Sequence, residues 1–89
     1  MIYFNIAQAR KQLMDNGFVY TLRAKHRYCG HTVAMWHSRP LCFVRILPVT
    51  AKVPDGLEQY LLFSGFDSVE NWIKAASMNA KSLFLVART

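Results

Sequence analysis

Apolar and polar side chains alternate along Phe18–Arg23, with Phe18, Tyr20 and Leu22 on one face and Val19, Thr21 and Arg23 on the other. A period of two over that length predicts a β-strand. Upstream the spacing is helical, since Ile6, Ala9 and Leu13 recur three and four residues apart and leave Arg10, Lys11 and Asp15 toward water. Asn5 is the expected N-cap, with Gln8 at the capping-box position and Phe4 as the staple residue. Asn16-Gly17 stops this helix, because glycine takes the left-handed C′ conformation without a Cβ clash.

Downstream, Gly30 ends a basic loop and Thr32–Trp36 reads as a second strand. Leu41–Val49 is the third, entered through Pro40, closed around Pro48 and apolar on both faces except for Arg45. That pattern suits a buried or barrel strand, with Arg45 either an edge-strand charge or a residue of the barrel mouth, its head snorkelling to water. Lys52–Gly56 is a loop, and Leu57–Phe63 a short helix with Leu57, Tyr60 and Leu61 inward and Gly65 just beyond it. A last helix starts after Asp67 or Ser68 and buries Val69, Trp72, Ile73 and Ala76, with Asp67 and Glu70 complementing its dipole. Ser82–Ala87 is the closing strand, returning to pair with earlier ones. The order predicts an α+β fold, a small, partly open mixed β-barrel of four to five strands in one domain spanning 1–89.

Composition narrows the class. A hydrophobic fraction of 53% with 13% aromatics fits a folded globule. No apolar run approaches the ~18 residues of a membrane span, and the first thirty residues show no signal-peptide core, so a cytoplasmic protein with no membrane partner is expected. Cys29 and Cys42 would then be reduced thiols. Charge is the stronger signal. Residues 1–52 carry eight Lys and Arg against Asp15 alone, whereas residues 53–89 carry three against four acids, so the net +6 belongs to the first part. A polyanionic partner follows as the first expectation.

The cations cluster where the first strand ends. Arg23, Lys25 and Arg27 come within five residues, beside Tyr28, and Arg39 opens the third strand. A solvated loop would look the same. Single-stranded nucleic acid, however, is held by cations along its backbone and aromatics under its bases, and Thr21 adds a hydroxyl. Trp36, at a strand end beside His37-Ser38-Arg39, serves either to stack on a base or to lid the barrel. No helix carries a major-groove reading face, which favours RNA over duplex DNA. His26, Cys29, His31, His37 and Cys42 are zinc-ligand types, but no second close pair repeats Cys29-x-His31, and no metal or other cofactor is expected.

The order of elements, with Val19-Tyr-Thr-Leu-Arg23, the Gly30 turn, Thr32-Val-Ala-Met35, Leu62-Phe-Ser-Gly-Phe-Asp-Ser-Val-Glu-Asn-Trp72 and Phe84-Leu-Val86, resembles the ASCH domains of the PUA-like superfold. The Gly-Phe turn leading into a Trp-bearing helix is similar to small archaeal members. That family's first strand carries Gly, then Lys, then Thr-x-Arg. Thr21 and Arg23 match the last two, Gly17 sits one residue late, and Phe18 stands at the Lys position. Some bacterial relatives hydrolyse the amide of an acetylated cytidine through that Lys, the Thr and a distant Glu. With Phe18 in its place, the resemblance implies the fold and RNA-related binding more than catalysis. The expected function is a nucleic-acid-binding module, RNA first, through Thr21, Arg23, Lys25, Arg27, Tyr28, Trp36 and Arg39. The alternatives are an adaptor for an acidic protein and a hydrolase of a modified nucleoside.

Overall fold

The structure, a computed structural model, describes residues 1–23, 29–49, 56–76 and 82–89. Five strands form one curled, half-barrel sheet: β1 (Ile2–Tyr3), β2 (Phe18–Arg23), β3 (Gly30–Trp36), β4 (Arg39–Val49) and β5 (Ser82–Arg88), in the order β1-β3-β4-β5-β2. All neighbours are antiparallel except β1 and β3. The closing strand pairs with both β4 and β2, so the small mixed barrel read from the sequence is the architecture observed.

Helix α1 (Ala7–Asn16) fills the concave face. Leu13 and Ala9 meet Ile2, Phe4, Val19, Ala34, Val44, Ile46, Phe84 and Val86 in the main core. Removing those side chains from water is the principal force holding sheet and helix together. Gly17 ends α1 with φ 85°, and its N–H reaches the Leu13 carbonyl. Buried Gln12 then ties the helix to the sheet, donating from Nε2 to the Phe18 carbonyl at 3.1 Å. The start of α1 departs from expectation. Ile6 is the N-cap position, without a side-chain cap bond, because Asn5 Oδ1 instead accepts the His37 N–H at 3.2 Å. Phe4, expected as a staple, is a core residue held by its own N–H on the Met35 carbonyl.

A 3₁₀ segment (Leu57–Phe63) and helix α2 (Val69–Ala75) cover part of the convex face. Leu57 and Trp72, the latter 2% exposed, bury Leu22 and Leu83 in a second cluster, with Tyr60, Leu61 and Val69 around them. Ser68 is the cap of α2, accepting the Asn71 N–H at 3.1 Å. Ile73, expected to be inward, is 40% exposed, since the short helix turns only Val69, Trp72 and the following Ala76 toward the sheet.

Strand β4 corrects another expectation. It is the central strand, not an edge, and only its Val44–Ile46 side is buried. Phe43, Arg45 and Leu47 all project from the convex face. The β3–β4 register shifts between Ala34 and Met35, where Leu41 is the extra residue beside Pro40.

Candidate nucleic-acid interface

The sheet is open between its two edge strands, β1 and β2. Arg23 crosses this seam. Its Nη2 donates to the Tyr3 carbonyl at 3.0 Å, its Nε donates to Thr21 Oγ1 at 3.2 Å, and its guanidinium lies 5.2 Å from the centre of the Phe4 ring. Strand alternation makes this possible, since residues two apart on β2 share a face. The Thr21-x-Arg23 pair is thus a physical unit that joins the free edges.

Next to it lies a cavity of about 340 Å³. Phe4, Ile6 and Ala9 supply its apolar wall; Asn5, Thr21 and Arg23 supply polar atoms; Ala75 and Ala76 approach from the end of α2. The volume falls at the lower end of the ~300–1,000 Å³ usual for small-ligand clefts. Thr21 is only 7% exposed, and accepting from Arg23 leaves its hydroxyl proton for another acceptor.

The β3–β4 hairpin brings further groups to the same end. Trp36 and Arg39 are directly paired across a two-residue turn, and cross-strand partners share a face. The Arg10 guanidinium sits 4.2 Å above the Trp36 ring while its Nη1 donates to the Phe4 carbonyl at 3.1 Å. One face of Trp36 is therefore occupied by a cation. His37, at the first position of the turn, has φ 54°, a value such turns usually give to glycine, asparagine or aspartate; its N–H is the one held by Asn5. A strained residue anchored to a cavity-lining side chain is a recurrent feature of binding sites.

Of the residues expected from the sequence, Thr21, Arg23, Trp36 and Arg39 are thus linked through Tyr3, Phe4 and Asn5. Lys25, Arg27 and Tyr28, like the Lys52–Asp55 part of the expected loop, lie outside the described residues. Arg10 escaped the sequence reading, because helical spacing placed it on the face turned to water. Its cue was position: one turn into a helix whose start is fixed by Phe4 in the core.

Among the described residues, no three His, Cys, Asp or Glu side chains gather as a metal site, and no helix is long and apolar enough to cross a membrane. Cys42 packs against the core, and burial pushes its thiol above the ordinary value, against a smaller opposing pull from Arg88. Native Cys42 is expected to alkylate more slowly at pH 8 than in the urea-unfolded chain, as quantitative mass spectrometry would report. The linked stability is complete below the unfolded thiol value, about 8.5, and declines as pH rises above it. Equal labelling rates would remove that reading. Compared with family models, curated proteins and solved structures, the chain returns no match.

Proposed function

We propose that this protein binds single-stranded nucleic acid, RNA before DNA, by taking one unpaired base into the seam cavity while arginines at its lip meet the flanking phosphates. The observation that carries the reading is the convergence on one sheet end of Arg10, Arg23, Arg39, Trp36 and a mainly apolar cavity holding the buried Thr21 hydroxyl. Unstacked bases are recognised in this way, by an apolar slot plus donors and acceptors at its wall. A 2′-hydroxyl could accept from the Thr21 hydroxyl, which is the basis for placing RNA first. Lys25 and Arg27, two and four residues after Arg23, are proposed to extend the cationic lip, and Tyr28 to stack with Trp36 on neighbouring bases.

Membership of the ASCH group belongs to this proposal, and binding suits it better than hydrolysis. Phe18, at the Lys position of the resemblance, has its ring 4.8 Å from that of Phe63, on the convex side and across the sheet from Thr21. A threonine hydroxyl needs a base to become a nucleophile, and the described cavity wall offers no carboxylate, lysine or histidine.

Titrating labelled single-stranded RNA against protein at several salt concentrations tests the reading. Three arginine–phosphate contacts give log affinity a slope of about −2 against log salt, or roughly a twenty-fold loss from 50 to 200 mM. Lys25 and Arg27 would steepen it. Folded protein that binds neither RNA nor single-stranded DNA at about 50 mM salt would overturn the proposal.

A further inference from the structure

The 3₁₀ segment covers the convex face over β2 and β5 and, with Leu57, the Val49 end of β4. Phe18 meets Phe63, and Tyr20 meets Tyr60 with ring centres 4.8 Å apart. The rest of the β3–β4 half of that face has no such cover among the described residues. On it, in the middle of the central strand, Phe43 is 70% exposed. Val33 pairs with Phe43 and His31 with Arg45, so an exposed aromatic ring shares this face with one arginine and a histidine. None of β3, β4 and β5 contains an acidic residue.

We infer that this face is a second nucleic-acid contact, with a base stacked on Phe43 and Arg45 on the adjoining phosphate; the inference rests on the nucleic-acid reading of the seam. Its occupant is argued from charge. A second copy of the chain laid on this face by a two-fold axis would bring two Arg45 side chains together with no acidic residue on β3, β4 or β5 to pair with them, whereas a polyanion supplies that opposite charge. A strand surface bearing an exposed aromatic and a neighbouring cation is a stacking platform, tolerant of sequence because every base has a π-face. Continuity with the seam favours one strand using both. At about 4.8 Å per strand, β1 at the seam and β4 are only about 10 Å apart across the sheet, a span a short oligonucleotide covers.

The test compares a uridine dinucleotide, short enough to engage the seam alone, with a twelve-nucleotide oligouridine. Phe43→Ala is expected to weaken the longer RNA about five- to hundred-fold, the range of a single stacked base, and to leave the dinucleotide unchanged. Arg45→Gln should flatten the salt slope for the longer RNA by about 0.7. Phe43→Trp adds a local reporter, whose fluorescence the longer RNA should quench. Arg23→Ala, by contrast, should weaken both ligands. Undiminished binding of the twelve-mer by Phe43→Ala would overturn this inference while sparing the seam. A wild type that binds neither RNA would overturn both. Concentration-dependent dimerisation abolished by Phe43→Ala, with RNA binding unaltered, would assign the face to a second copy instead.

Discussion

Gly65→Ala is expected to cost the domain about 3 kcal/mol, a large part of the ~4–13 kcal/mol usual for a chain of this length. Gly65 lies between the 3₁₀ segment and α2, where the convex layer passes around β2 to reach α1. A Cβ there would sit 2.7 Å from the Gln8 carbonyl carbon, closer still to its oxygen, and 3.1 Å from the Ala9 nitrogen. Those are backbone atoms of a helix seated in the core, so they cannot swing aside as a side-chain tip would. Overpacking of about 1–3 kcal/mol adds to the strain of a side chain at φ 90°. Gly17 and Gly56 separate the two effects. Both have positive φ, 85° and 79°, but a Cβ at Gly17 meets nothing within 4 Å and one at Gly56 only the Gln59 side chain at 3.8 Å. Alanine at either should cost about 1 kcal/mol. Thermal unfolding would then fall by ~12–24 °C for Gly65→Ala and only a few degrees for the others. Equal losses at Gly65 and Gly17 would show that α1 and α2 are not locked together there.

The same close approach explains what was legible in the sequence and what was not. Local periodicity sufficed for α1, β2, β3 and β5, and for Trp72 as a core residue, because each buries a side chain whose partner is set by its own element. It failed at β1, where two residues are too short to show a period. It failed for Asn5, whose side chain has a local role as a cap and a distant one on the hairpin turn; tertiary pairing with His37 won. The double-faced apolar pattern of Leu41–Val49 was ambiguous for a physical reason. Whether Phe43 is core or surface depends on how far the 3₁₀ segment reaches across the sheet, which no property of β4 encodes. The candidate site divides in the same way. Thr21 and Arg23 were visible as neighbours on one strand face, but their joining of the β1 edge, and the place of Arg10 over Trp36, depend on strand order.

Arg23→Lys should separate charge from shape at the seam. The guanidinium uses Nη2 for the Tyr3 carbonyl and Nε for Thr21 Oγ1 at once, a fork that one ammonium on a longer, flexible stem does not reproduce. Charge-assisted hydrogen bonds contribute about 1.5–3 kcal/mol each when buried, and less here because water can reach the exposed Tyr3 carbonyl bond. Lys and Ala at position 23 are therefore both expected to lower stability by about 1–2 kcal/mol in urea titrations. Their effects on RNA should differ. Arg23→Ala removes a cation as well as the strut, so affinity should fall about ten- to hundred-fold and the salt slope flatten by about 0.7. Arg23→Lys keeps the cation, so the slope should remain while affinity falls about ten-fold, because Thr21 and the β1 edge lose their fixed positions around the base. Thr21→Val tests that last step on its own, removing the hydroxyl while conserving shape, and should reduce RNA affinity with no change in slope. If Arg23→Lys binds as the wild type does, the residue acts as a point charge, and the Thr21–Arg23–Tyr3 geometry has no part in recognition.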